Sequence, residues 1–120
     1  MEETLFETNG TPVAYIDYND STIFLWSGKP VAYLDTDSCI FGFNGKHLGW
    51  YEDGIVWNLQ GEITGYNKET LPVYAKYEPY KSYKEYKPYK SYKEYTKYKP
   101  YKKTYKSDTL LTQFLLEGKR

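Results

Sequence analysis

One motif recurs along the first half of this 120-residue chain: "NGTPVAYID" at 9–17 returns as "SGKPVAYLD" at 27–35 and, eroded, as "NGKHLGWYE" at 44–52. Aligned on Gly10, Gly28, Gly45 and Gly61, the units lie 18, 17 and 16 residues apart. That spacing is too short for a four-stranded propeller blade and right for one hairpin per unit. Each glycine follows a polar residue, Asn9, Ser27, Asn44 or Gln60. Asn-Gly between alternating strands predicts a type I′ turn, with positive φ at both central positions.

The columns of the repeat say how such hairpins are arranged. Four residues beyond each glycine stands a small residue (Ala14, Ala32, Gly49, Gly65), followed by an aromatic one (Tyr15, Tyr33, Trp50, Tyr66). The strand before each glycine carries an aliphatic column (Leu5, Ile23, Ile40, Val56) and then an aromatic one (Phe6, Phe24, Phe41, Trp57). Successive strand residues face opposite sides. One face therefore gathers aromatic groups, and the other gathers small residues where backbones related by symmetry approach an axis. The last unit, "GEITGY", has no strand after it, so the N-terminal "TLFETN" is expected to pair with it and close a ring without free edges.

A second turn in each unit carries an acid, Asp20, Asp37 or Asp53, matched by Glu2 ahead of the first strand. These acids shape turns and solvate the surface; as a functional alternative they form an acidic ring at one end of the barrel, able to bind a cation or the chain's own lysines. The pattern from Thr4 to Tyr66, with its closing N-terminal strand, resembles the four-fold beta flower family. That resemblance implies a small all-β closed antiparallel barrel of four hairpin repeats, similar to a reduced Tubby C-terminal barrel, whose relatives act at phosphoinositides and membranes. It implies a fold and leaves the activity open. A shallow barrel cannot hide all its aromatic mass, so some of Trp26, Phe43, Trp50 and Trp57 are expected to lie partly exposed on one apolar face as an interaction patch, or else to pack on each other or on the C-terminal segment.

Composition changes abruptly near Leu71-Pro72, dividing the chain into a barrel at 1–70, a repeat tail at 71–106 and a terminal segment at 107–120. Residues 1–73 carry eleven acids against three lysines, a net of −8; residues 74–106 carry eleven lysines against three glutamates, a net of +8. Neutrality thus hides two opposed blocks, which bears on partners rather than on fold. From Tyr74 to Tyr101 every third residue is tyrosine, and "PYKSYKEYK" repeats with a period of nine. Prolines 79, 88 and 100 oppose helix and sheet, and only a polyproline II chain would align the tyrosines on one edge. The segment is expected to be extended or disordered. Its lysines and tyrosines, notably Lys81, Tyr83, Lys84, Lys87, Tyr89, Lys90, Tyr92 and Lys93, suit an anionic partner: lipid headgroups, nucleic acid, or the acidic barrel itself.

The terminal "SDTLLTQFLLEGKR" reads as a short amphipathic helix, capped by Ser107 or Asp108 and ended by Gly118, with Leu110, Leu111, Phe114 and Leu115 as its apolar stripe. About ten residues cannot hold a helix alone in water, so it docks on the barrel's aromatic face, a second subunit or a membrane.

Catalytic and metal-binding sets are missing. His47 is the only histidine and has no matched nucleophile, and Cys39, the only cysteine, sits in a strand column. No cofactor, metal or small-molecule substrate is inferred. The lone cysteine and the N-terminal "MEETLFETNG", without a basic start or apolar run, lead to the expectation of a cytoplasmic protein, peripheral at the inner face of the membrane if it meets one. The expected role is a non-enzymatic binding or tethering module for anionic lipid or membrane surfaces. Sequence-blind nucleic-acid binding and head-to-tail self-association are the alternatives.

Overall fold

A computed structural model describes all residues, Met1–Arg120. Eight antiparallel strands close a barrel in chain order: β1 Glu2–Phe6, β2 Pro12–Asp17, β3 Thr22–Leu25, β4 Pro30–Leu34, β5 Cys39–Gly42, β6 His47–Glu52, β7 Ile55–Asn58 and β8 Ile63–Tyr66. The N-terminal strand closes the ring as its sequence requires, with Phe6 of β1 opposite Tyr66 of β8. One helix, α1, spans Leu111–Leu116.

The glycine turns differ from the expected type I′. In the first, the Gly10 N–H donates to the Glu7 carbonyl at 2.9 Å, and the Glu7 N–H donates to the Thr11 carbonyl at 2.8 Å. Positive φ falls on Gly10 and not on Asn9. This is a three-residue loop, a type I turn followed by a left-handed glycine that forms a bulge. The strand register slips by one between Leu5 and Phe6, and likewise between Ile23 and Phe24, Ile40 and Phe41, and Val56 and Trp57. The asparagine serves as an acceptor: Asn9 Oδ1 takes the Thr11 N–H at 3.0 Å, and Asn44 Oδ1 takes the Lys46 N–H at 3.0 Å. The two-residue turn with positive φ at both positions lies at the other end of the barrel, at Asp53-Gly54.

The aliphatic and small columns face inward. Leu5, Ile23, Ile40, Val56, Ala14 and Ala32 are buried in one cluster with Leu111, Phe114 and Leu115 of α1. The helix is thus a plug in the barrel, not a cover on its aromatic face. The small column therefore serves two ends, close approach of neighbouring backbones and space for the plug. A Cβ on Gly49 would collide with the Trp57 carbonyl oxygen and stand 3.1 Å from the Phe114 ring, and one on Gly65 would stand 2.8 Å from Leu111 Cδ2 and 2.9 Å from the Phe6 carbonyl oxygen. Small residues there make room for the plug, and burying each of its apolar side chains contributes on the order of 1.5–3 kcal/mol.

Both ends of α1 are tied to barrel turns. Glu7, itself buried, accepts the Leu111 and Thr112 N–H groups at 2.8 and 3.2 Å. Asn44, two petals away, donates through Nδ2 to the Glu117 carbonyl at 2.7 Å. The expected caps Ser107 and Asp108 do not cap it: the N-cap position is Leu110, which is exposed and outside the buried stripe. A carboxylate from a turn far away in the chain takes this place, because a first-turn N–H needs an acceptor wherever it comes from.

Candidate functional site

The tyrosine–lysine segment is extended, and it is docked rather than disordered. It runs around the outside of the barrel as a belt, one nine-residue repeat to each petal. The N–H groups of Lys76, Glu85, Glu94 and Lys103, nine apart, donate to the carbonyls of Gly10, Gly28, Gly45 and Gly61 at 2.8–2.9 Å. Ser82 and Ser91 donate to the carbonyls of Trp26 and Phe43 at 3.1 and 2.8 Å. Each turn glycine therefore has a second reason to lack a side chain: its Cβ would collide with the backbone carbonyl of Tyr74, Tyr83, Tyr92 or Tyr101.

Lysine columns supply the charge pairing. Lys84 lies 2.7 Å from Asp17 and 2.8 Å from Glu2, Lys93 pairs with Asp35 at 2.5 Å, and Lys102 pairs with Glu52 at 2.8 Å. These contacts hold the carboxyls of Asp17, Asp35 and Glu2 below their ordinary range, with the bonds from Lys84, Lys93 and Lys84 as the largest cause in turn; Lys102 and then Lys99 do the same for Glu52. A second column, Lys81, Lys90 and Lys99, rests over the outer aromatic rings, with Lys90 Nζ 4.1 Å from the centre of Tyr33.

The exceptions in the two repeats match each other. Counting along the acid column, the fourth petal has Lys68 where the others have Asp17, Asp35 and Glu52; the belt residue in the corresponding lysine column is Ala75. Pro12 and Pro30 give way to His47 in the third petal, and Pro79 and Pro88 give way to Lys97 in the belt. There the Lys97 N–H, which a proline would lack, donates to His47 Nδ1 at 3.1 Å, while Nε2 meets the Gly49 carbonyl at 3.0 Å. That geometry requires a neutral imidazole with its proton on Nε2, and burial lowers the His47 pKa in the same sense. His47 is a docking acceptor, stacked on Phe41.

Of the two outcomes expected for the aromatic face, packing under the C-terminal segment is the one found. Phe43, Trp50 and Trp57 are buried beneath the belt, and Trp26 alone is only half-buried, with its Nε1–H donating to the Pro79 carbonyl at 3.0 Å. Of the expected acidic ring, Glu2 pairs with Lys81 and Lys84, Asp20 pairs with Lys87, and Asp53 is 3.7 Å from Lys102, but Asp37 has no lysine within ion-pair distance. The acids that hold the belt most closely include Asp17, Asp35 and Glu52, which sequence reasoning passed over. Their signal was available: each stands three residues after the small residue of its unit, in the order of the lysines nine apart. Cys39 is buried under the same outer cluster, with Tyr33, Phe41 and Trp50.

With lysines turned inward, the tyrosines turn outward. All ten from Tyr74 to Tyr101 are at least 84% exposed, Tyr83, Tyr89 and Tyr92 among them. The molecule measures 38 × 37 × 23 Å, a thick disc with these rings on its rim. Both belt faces are thereby committed: the lysine face to the barrel, the tyrosine face to solvent.

A closed eight-stranded barrel, plugged by one helix and hooped by its own C-terminal segment, is the class of protein defined here. The chain belongs to the 4-fold beta flower protein family, whose model matches residues 3–115, taking in the belt and most of α1 as well as the petals. No curated protein and no solved structure matches it.

Proposed function

We propose that this protein is a non-enzymatic binding module that attaches peripherally to anionic lipid surfaces through the rim of its belt. The observation that carries this reading is the row of exposed tyrosines on a backbone already tied to the barrel. An exposed aromatic ring with a polar tip suits the boundary between headgroups and water. Holding the rings on an ordered belt removes much of the entropy cost that a free tail would meet on binding. No helix is long and apolar enough to cross a membrane, and α1 contributes nothing to attachment, because Leu111, Phe114 and Leu115 are inside the barrel. Nucleic acid is the weaker reading, since the lysines that would neutralise phosphates are largely occupied by barrel carboxylates.

The test is flotation of the full chain with neutral and anionic vesicles at low and physiological salt. Association with anionic vesicles, reduced when Tyr86, Tyr89 and Tyr92 are changed together to Ser, supports the reading. Failure to float with either kind of vesicle refutes it.

A further inference from the structure

The belt is not electrostatically uniform around the disc. Six lysines sit over the outer aromatic rings: Lys81, Lys84, Lys90, Lys93, Lys99 and Lys102. Five of them have a carboxylate partner, and Lys90 has none. Lys90 also borders two clefts, one of about 310 Å³ against Tyr33 and Tyr92 and one of about 290 Å³ against Phe43 and Tyr89. The second cleft shares Pro88 with a third, of about 160 Å³, to which Lys29, Lys119 and Arg120 contribute. The Arg120 guanidinium reaches back to the Tyr89 carbonyl and fixes the chain end beside this arc.

The three adjoining clefts together carry Lys29, Lys87, Lys90, Lys93, Lys119 and Arg120 against Asp20, Asp35 and Glu85, an excess of three positive side-chain charges, or two once the α-carboxylate of Arg120 is counted, on a molecule whose net charge is zero. Four of the six cations (Lys29, Lys90, Lys119, Arg120) belong to no ion pair. From these observations we infer that the arc of belt from Glu85 to Lys93, with the C-terminal Lys119 and Arg120, is the face that meets the membrane, its clefts receiving anionic lipid headgroups.

This inference rests on the proposed membrane role and assigns it a place. The shape of the patch selects a lipid surface over a polymer. A flat surface touches a round rim along one arc only, and the three clefts that gather these cations adjoin one another along one stretch of belt. A strand of nucleic acid following the belt would call for the excess in every repeat. In the arc, Tyr86, Tyr89 and Tyr92 stand outward between the clefts, so rings can enter the headgroup layer while cations meet the phosphates beside them.

The test compares two full-length variants of equal charge. Lys29→Gln, Lys90→Gln, Lys119→Gln and Arg120→Gln together remove the four unpaired cations of the arc without touching a belt–barrel ion pair. Lys68→Gln, Lys76→Gln, Lys103→Gln and Lys106→Gln remove four cations elsewhere, none of which is ion-paired either. Near-ultraviolet circular dichroism matching the parent shows that each variant keeps its fold. On vesicles of one-third phosphatidylserine, the arc variant is expected to bind at least about tenfold more weakly than the parent, and the control within about threefold of it, given roughly 1 kcal/mol per basic residue near such a surface. Equal losses in the two variants would show attraction by net charge and overturn the arc while leaving the membrane role standing. No loss in the arc variant would overturn it too. A parent that ignores vesicles but binds a single-stranded oligonucleotide through the same four cations would overturn both proposals.

Discussion

The petals and the belt are both four-fold repeats, yet they keep their repeat in opposite ways. Petals preserve a chemical class at each column and let identity drift: Ala14 becomes Gly65, Tyr15 becomes Trp50, and the spacing shrinks from 18 to 16. The belt keeps its spacing, with tyrosine at every third position and two nearly literal copies, 79–87 and 88–96, nine residues apart. A petal residue is held by core neighbours that can adjust to a change of size. A belt residue has no core of its own, and its order comes from donors and cations meeting fixed partners on the barrel. An error of register would cost it every later contact, so its spacing is held strictly even though its composition resembles that of a disordered chain.

The largest break in this comparison comes from the plug. Phe114→Ala should lower stability by about 3–5 kcal/mol, as for other buried phenylalanines, read by urea denaturation of the full chain. Loss of far less would mean that the barrel core is complete without α1.

Deleting residues 86–88 is a sharper test of the belt, because it keeps a tyrosine at every third position while breaking the nine-residue register. Belt lysines should then be cut by trypsin roughly tenfold faster, the mark of local opening, while deletion of an equally long stretch of an undocked tail would change nothing.

Lowering the pH should separate belt from petals in two stages. His47 has a depressed pKa when folded, so its contribution is complete above about 6.5 and is lost as the pH falls through its lowered value. The Lys97 amide, which donates to Nδ1, should lose hydrogen-exchange protection before its neighbours do. Asp17, Asp35, Glu52 and Glu2 are depressed as well; their contributions are complete above about pH 4.5 and fade below it, releasing the belt at acid pH. His47→Phe should abolish the first stage and leave the second.

Single lysines should matter least. Lys93→Met removes a surface pair and is expected to cost about 0–1 kcal/mol in a denaturation midpoint, far less than the register deletion, because belt affinity is spread over many weak contacts.

Much of the barrel was legible in the sequence. Alternation placed Leu5 and Tyr15 on opposite faces, and the missing fourth strand required closure by the N-terminus. The turn geometry was misjudged because Asn-Gly serves both a two-residue and a three-residue loop, and the bulge that distinguishes them is a property of the paired strand. Glu7 was invisible as a cap: it lies 104 residues from the Leu111 amide that it receives. The candidate surface was half legible. Tyrosine periodicity marked the belt, but the same periodicity was compatible with a free tail.

By itself the sequence determined the four petals, their inward and outward faces and the closure of the ring, because strand alternation and turn glycines act over a few residues. Only the tertiary structure decided that Phe43, Trp50 and Trp57 are covered, that α1 enters the barrel, and that the tyrosines face water. A period of nine carries no local preference for order. It acquires one only when the closed barrel sets four carbonyls and three carboxylates at the spacing those repeats can reach.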